Sequence, residues 1–158
     1  MAEPSPIQAT LEAQFPFLAG KVAAPRARRA FVEVPEESFR TVFDHATETL
    51  GFDRICIITG FDDVTSLSAL YHLSRPDGFV LSIRRRVSRE TPVITTVTDR
   101  FPGAANYERE LVDLLGFEVT GLPPGPRYPL PDNFPTDQKP LRKDWKPQPK
   151  AAQPKTAT

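Results

Sequence analysis

The sequence predicts an α+β fold in which a mainly antiparallel sheet is covered by helices and followed by an extended, proline-rich C-terminal tail. Three observations predict it. Apolar residues recur at helical spacing over residues 36–50 and 107–115, short strand-like runs separated by turn residues lie between these segments, and ten of the 18 prolines lie from Pro123 onward. Strands joined by short turns favour antiparallel pairing, and the flanking helices favour one helix-covered face.

Residues 1–28 are predicted to form a short helix and a connector. Ser5 suits the N-cap, Pro6 suits the first helical position, and apolar residues recur every four positions up to Phe15. Pro16 ends this pattern. The segment that follows carries three arginines and no periodicity, so it is predicted to be an irregular connector, with too few cations to indicate nucleic-acid binding.

Residues 29–120 are predicted to form the α+β domain. A strand over residues 30–34 ends at Pro35 and is followed by a helix over residues 36–50, with Gly51 as its C-terminal cap. Five apolar residues share one face of that helix: Phe39, Val42, Phe43, Ala46 and Leu50. This face is predicted to cover the sheet.

Four further strands are predicted over residues 54–59, 66–73, 78–87 and 93–98. Turn residues separate them, and the pair Asp77-Gly78 in particular favours a tight reversal. Cys56 lies in an apolar run, so a buried position for its small side chain is expected.

The last predicted helix begins with an unusually charged turn, Glu108-Arg109-Glu110. Asn106 suits the N-cap and Gly116 the end of the helix. Four apolar residues form one stripe along it: Tyr107, Leu111, Leu114 and Leu115. Arg109 and Asp113 share the opposite, polar face. The charges fit a solvated first turn, and they also fit a face turned toward a partner subunit.

Residues 121–146 are predicted to form an extended tail, because their prolines exclude a helix or a central strand. Apolar residues recur through the tail, and residues 140–145 combine two cations, a carboxylate and the single tryptophan, Trp145. This composition fits a peptide laid along another protein. It fits a tail folded back on its own domain equally well. Residues 147–158 are predicted to be disordered.

Composition excludes several classes of function. The 20 basic and 20 acidic residues balance, so no net charge steers the protein to nucleic acid. The sequence lacks an apolar run that could cross a bilayer and a signal peptide at its start, which predicts a soluble protein. One cysteine and two distant histidines do not form a metal site, and no catalytic motif is present.

Two segments resemble the signatures of the thirty-kilodalton NADH dehydrogenase subunit of respiratory complex I. Residues 97–117 are similar to the first signature, with a Thr-Asp, a Pro-Gly and an aromatic residue before Glu-Arg-Glu. Residues 140–145, Pro-Leu-Arg-Lys-Asp-Trp, are similar to the second, and residues 69–74 resemble the central strand of the family more weakly. The resemblance covers about residues 29–146.

The resemblance implies an α+β subunit without cofactors or catalytic residues of its own. Such a subunit is expected to pack against the large catalytic subunit and neighbouring iron–sulfur subunits, which would hold the iron–sulfur clusters and a nickel–iron or quinone site. The resemblance also implies a peripheral position on the cytoplasmic side of the inner membrane. The residues implied to bind partners are Glu108, Arg109, Glu110, Asp113, Leu141, Arg142, Lys143, Asp144 and Trp145.

The sequence departs from the quinone-reducing relatives after the last helix. The segment 121–127 is short and keeps a single arginine, Arg127, and Lys139 replaces the histidine expected before Pro140. This form is more similar to the homologous subunit of membrane-bound, energy-converting nickel–iron hydrogenases. Two other functions stay open on the residues alone: an adaptor with a proline-rich ligand tail, and an enzyme that uses Asp113, Glu110 or His72.

Overall fold

The predicted α+β fold is confirmed: in the part of the chain that the structure describes, the main sheet has five strands and is mainly antiparallel, with one parallel pair. The computed structural model describes residues 5–147. The strands are β1 (Val22–Arg26), β2 (Arg29–Val34), β3 (Arg54–Asp62), β4 (Ser66–Ser74) and β5 (Val80–Ser88). Their order in the sheet is β1-β2-β5-β4-β3. β2 runs parallel to β5 because a helix and the β3–β4 hairpin separate them in the chain, and the other neighbouring pairs are antiparallel.

Within residues 5–147, three helices accompany the sheet: α1 (Pro6–Gln14), α2 (Glu36–Glu48) and α3 (Ala105–Leu115). Ser5 caps α1 as predicted, since its Oγ accepts a hydrogen bond from the Gln8 amide at 3.2 Å. Short 3-10 turns follow α1 at Pro16–Leu18 and precede α3 at Pro102–Ala104. The first four residues of the predicted α2 face are buried, and Leu50, beyond the end of the helix, is half-buried.

The main core lies between α2 and the sheet. The rings of Phe39 and Phe43 from α2 pack on Tyr71 of β4, with centroids 4.8 and 5.9 Å away. The guanidinium of Arg85, from β5, is fully buried 4.0 Å from the Phe39 ring centroid. Its Nε donates to Glu36 at 2.7 Å, so the buried charge is paired and ties β5 to the start of α2.

Three local predictions are wrong. The expected irregular connector contains β1, where Pro25 is tolerated because the strand is at the sheet edge and its register shifts there. The strand expected at 93–98 is short, β6 (Val93–Thr95), and pairs in parallel with β7 (Glu118–Thr120) in a separate two-stranded sheet. Cys56 is exposed, because the register of the edge strand β3 shifts between Ile55 and Ile57.

Helix α3 packs closely on β3 at Gly60. A Cβ atom on Gly60 would lie 2.3 Å from Leu111 Cδ2 and 2.5 Å from Leu115 Cδ1, so this approach needs a glycine. The contact holds α3 beside the end of β3, where the C-terminal tail arrives. Disorder is predicted for residues 147–158, and residues 148–158 lie outside the part of the chain that the structure describes.

Candidate partner-binding site

Helix α3 begins earlier than the sequence predicts. Its N-cap is Ala104, which makes no side-chain cap bond, and the predicted cap Asn106 lies inside the first turn. The reason is that the preceding 3-10 turn already sets a helical path, so the backbone is helical before Asn106. The Asn106 side chain instead accepts a hydrogen bond from Arg109 Nη1 at 3.1 Å.

Glu108 does not lie on the expected polar docking face. Its side chain is fully buried, with Oε2 accepting from the Thr96 hydroxyl at 2.5 Å and Oε1 from the Val97 amide at 2.8 Å. Burial raises the pKa of this carboxyl, although the two hydrogen bonds oppose the rise. In this structure Glu108 fastens α3 to the segment after β6 and has no surface to offer a partner.

Asp113 is also buried rather than exposed on a polar face. Oδ1 accepts from Arg127 Nε at 2.6 Å and Oδ2 from the Leu130 amide at 2.9 Å, so both oxygens hold the tail. Arg127 is itself largely buried and donates through Nη1 to the carbonyls of Phe134 and Pro131. A charge pair shielded from water in this way fixes the tail on the helix.

The end of α3 is bound by the second signature segment. Gly116 ends the helix as predicted, with a left-handed φ of 76°. The last turn leaves carbonyls without partners inside the helix, and they carry partial negative charge. Three tail groups donate to carbonyls of this turn. Lys139 Nζ donates to Val112, which also accepts from the Gly116 amide, the Leu141 amide donates to Leu114 and Arg142 Nε to Leu115, at 3.0, 3.1 and 2.7 Å.

Arg142 is bonded within its own chain, and its expected charge pair with a neighbouring subunit stays a prediction. Its Nε is bonded to the helix end of its own chain. Lys139 is half-buried beside it, and burial lowers the pKa of its ammonium group.

The remaining residues of the second signature contact the end of β3. The Lys143 amide donates to Asp62 Oδ2 at 3.0 Å, and Arg89 lies between Asp62 and Asp144. Burial raises the pKa of Asp62, but the amides of Lys143 and Val64 and the charge of Arg89 together hold it below its usual value. Trp145 is half-buried, and its Nε1 donates to Gln138 at 3.2 Å.

Some of the expected partner-binding residues keep accessible side chains. Leu141 is 52% exposed, and Lys143 and Asp144 are also exposed. Arg109 and Glu110 are half-buried, and Arg109 donates to the carbonyls of Pro123 and Pro124. The structure therefore brings the two signatures together on α3 and leaves an exposed ridge, here named the tail ridge: Leu141, Lys143 and Asp144.

Sequence reasoning missed four groups that build this arrangement: Asp62, Arg89, Thr96 and the pairing role of Arg127. A structural role for Arg127 could have been predicted, because it is the only arginine between Arg109 and Arg142 and lies in a proline-rich segment. The other three are ordinary polar residues at strand ends or in loops. Their roles follow from contacts that no local pattern specifies.

Comparison with known proteins decides the family. The family described as "Respiratory-chain NADH dehydrogenase, 30 Kd subunit" matches residues 32–151. The chain belongs to this family. The resemblance inferred from the two signatures is confirmed by a match that spans both of them.

Two relatives of this chain are named as subunits of different enzymes. A subunit of the F420H2 dehydrogenase of Methanosarcina mazei is 31% identical over 127 residues, which is 78% of each protein. Membrane-bound hydrogenase subunit beta of Pyrococcus furiosus is 35% identical over 122 residues, 75% of this chain and 70% of that protein. The chain therefore belongs to the family of complex I and membrane-bound hydrogenase subunits.

Solved structures share the fold of this family member. A chain of the membrane-bound sulfane sulfur reductase, an archaeal respiratory membrane complex, aligns with a TM-score of 0.77 at 23% identity, over 89% of this chain and 84% of that chain. The trypsin-resistant fragment (1-134) of Nqo5 aligns with a TM-score of 0.63 at 27% identity, over 74% and 98%. The first likeness shows the fold alone.

Two further findings concern residues 5–147 of this chain. No three or more histidine, cysteine or acidic side chains are grouped so that they could hold a metal ion. None of the helices is long and apolar enough to cross a membrane. The polar groups of the site are used to hold the tail on α3 and β3.

Proposed function

We propose that this chain is a non-catalytic accessory subunit of a membrane-associated, multisubunit oxidoreductase, and that its tail ridge docks on the large catalytic subunit. One observation carries the proposal. The second signature segment is fixed to α3 and β3 by its own backbone and by Arg142, while the Leu141 side chain, between these anchors, stays 52% exposed. An apolar side chain held out by such a scaffold is suited to insertion into a partner.

The rigidity of the ridge favours binding. A disordered tail loses conformational entropy when it docks, whereas a tail already bonded to its own domain loses less. Leu141 supplies apolar contact area, and the neighbouring charges of Lys143 and Asp144 can form the polar rim of an interface. Asp144 is already paired with Arg89, so Lys143 is the charge of the ridge most able to engage a partner.

The surroundings of the candidate catalytic groups support a non-catalytic role. Asp113, one of the three candidates, has both oxygens bonded to the tail. His72 of β4 alternates with Tyr71, whose ring faces α2, so His72 lies on the other face of the sheet. Asp113 and His72 therefore do not converge on one substrate. The iron–sulfur clusters and the nickel–iron or quinone site of the complex would be held by partner subunits.

The membrane association is proposed to be indirect, through these partners, on the cytoplasmic side of the inner membrane. The relative from Pyrococcus furiosus is named as a subunit of a membrane-bound hydrogenase. This name supports an assembly at the membrane. The neighbours of this chain would be the large subunit and the iron–sulfur subunits.

Capture of the tagged, full-length chain from solubilised membranes tests the proposal. Mass spectrometry should identify a large catalytic subunit among the captured proteins, and Leu141→Asp with Lys143→Glu should lower its recovery at least fivefold. Asp132→Asn, a change at another exposed position of the tail, is the control and should leave recovery unchanged. Recovery of the chain alone from both membranes and cytosol would contradict the proposal.

The captured large subunit also identifies the type of complex. A large subunit with nickel-ligating cysteines would assign the chain to an energy-converting hydrogenase. A large subunit without them, captured with flavin-binding subunits, would assign it to a complex I-like enzyme. Capture of neither would favour the adaptor function.

A further inference from the structure

One face of the five-stranded sheet is left open by the helices of the described chain. Side chains alternate between the two faces along each strand, and the buried face is the one that carries Val32, Tyr71 and Ile83 toward α2. The register places the intervening residues on the other face, where Phe31 lies opposite Ser82 and Leu70 opposite Arg84. We call this second side the open face.

The open face carries a group of apolar side chains that are not fully buried. Phe31, Phe61 and Leu70 are half-buried, and Ile57 is 44% exposed. A shallow groove of about 270 Å³ runs over Phe31, Phe61 and Leu70, with Arg84 at its side. Apolar side chains gathered on one exposed surface are typical of a surface that binds another protein.

The charges around this groove are predominantly positive. Lys21, Arg84 and Glu33 line the groove, and Arg29 lies beside the ring of Phe31. Arg86 and Asp63 pair with Glu33 and Arg84, so these four cations and two carboxylates leave an excess of two positive charges.

Both carboxylates are already engaged within the chain. Arg84 pairs with Asp63 at 2.7 Å and with Glu33 at 3.6 Å, and Arg86 pairs with Glu33 at 3.2 Å. Arg29 has no carboxylate at ion-pair distance among residues 5–147, and its guanidinium lies 5.8 Å from the Phe31 ring centroid. Positive charge is therefore available on the open face.

We propose that the open face is a second docking surface, which binds an acidic segment with apolar side chains from a partner subunit of the same complex. This inference rests on the proposed function. The apolar floor would take an aliphatic or aromatic side chain, and Lys21 and Arg29 would take carboxylates. The guanidinium groups of Arg29 and Arg84 lie beside the rings of Phe31 and Phe61, and Arg84 is 4.8 Å from the Phe61 centroid. The attraction between cation and ring helps to hold both guanidinium groups in place.

The open face and the tail ridge are separate surfaces. The Leu141 amide is bonded to α3, and α3 packs on Gly60, on the face of the sheet opposite to Phe61 and Leu70. A partner segment on the open face therefore does not compete with contacts on the ridge. The chain can be held in the complex from two sides.

Site-specific crosslinking in the assembled complex tests the inference. A photo-crosslinking amino acid at Ile57, introduced into the full-length tagged chain, should label a peptide of a partner subunit that contains several acidic residues. Labelling of a second copy of this chain, or of no subunit while the large subunit is still captured, would overturn the inference and leave the proposed function standing. If the wild-type chain captures no subunit, both are wrong.

Charge variants provide a second, independent readout. Lys21→Glu with Arg29→Glu should reduce the crosslink yield at Ile57 at least tenfold, whereas Lys21→Arg with Arg29→Lys keeps the charge and should reduce it less than threefold. Circular dichroism of both purified variants checks that the domain is folded. Equal crosslink yields from the two folded pairs would overturn the inference, because the acidic character of the partner segment would then have no role.

Discussion

Glu108 and Asp113 behave differently from most charged residues on a helix. Local pattern places both on the solvent side of α3, but both are buried. A buried carboxylate is tolerated only when its oxygens are bonded, and each of these two has donors to both oxygens. The donors lie 11 to 17 residues away in sequence, so helical periodicity cannot reveal them.

The raised pKa of Glu108 predicts a pH dependence of stability. The folded state holds the proton of this carboxyl more tightly than the unfolded chain, so Glu108 contributes stability below its ordinary pKa of 4.5 that is lost as pH rises through the raised pKa. The side chain introduced by Glu108→Gln does not ionise, so the variant does not lose this stability as pH rises. Urea unfolding at several pH values should show the wild-type free energy of unfolding falling relative to the variant as pH rises from 4.5. A constant difference across this rise in pH would contradict the prediction.

The packing at Gly60 leaves no room for an added methyl group, so we expect Gly60→Ala to destabilise the domain. The added methyl group of Gly60→Ala would overlap the buried side chains of Leu111 and Leu115, which cannot move out of the core. We expect the free energy of unfolding to fall by about 1–3 kcal/mol. Gly103→Ala is the control, since a Cβ at Gly103 meets no atom within 4 Å. Equal stability of the two variants would show that α3 is not seated on β3.

At the level of elements, α3 is fixed more firmly at its end than at its start. Its start has no side-chain cap, whereas its end has Gly116 and three donors from the tail. The tail therefore acts as the C-terminal cap of the helix as well as carrying the exposed ridge. This dual use explains why both signatures belong to one structural unit.

We expect a moderate loss of stability when one of these donors is removed. Arg142→Ala leaves the Leu115 carbonyl without its charged partner, and we expect the free energy of unfolding to fall by about 1–2 kcal/mol with an unchanged circular dichroism spectrum. Lys143→Ala is the neighbouring control, because the Lys143 contact with Asp62 is made by the backbone and survives the change. Global unfolding of Arg142→Ala would mean that the cap is essential to the fold.

At the level of the whole molecule, the sheet separates the two proposed docking surfaces. The helices and the tail pack on one face, and the apolar and basic groups of the opposite face stay accessible. A small domain with two accessible surfaces on opposite sides can join two parts of a larger assembly.

Truncation tests whether the tail is part of the folded unit. A chain that ends at Thr120 loses Arg127, which pairs with the buried Asp113, and all three donors at the end of α3. We expect the free energy of unfolding to fall by about 2–5 kcal/mol, measured by chemical denaturation. A chain that ends at Pro147 keeps these contacts and should be as stable as the full chain. Equal stability of all three would show that the tail is not integral to the domain.

The sequence by itself determined the fold class, most of the strands, the α2 face and the family. These features follow from period-2 and period-3.6 patterns, from turn and cap residues such as Ser5 and Gly116, and from the two signature segments. Only the tertiary structure decided the parallel pairing of β2 with β5, the burial of Glu108 and Asp113 and the binding of Arg142 to α3. The physical reason is that hydrogen bonds and ion pairs between distant segments depend on which groups the fold brings together, whereas local patterns report only the average environment of each residue.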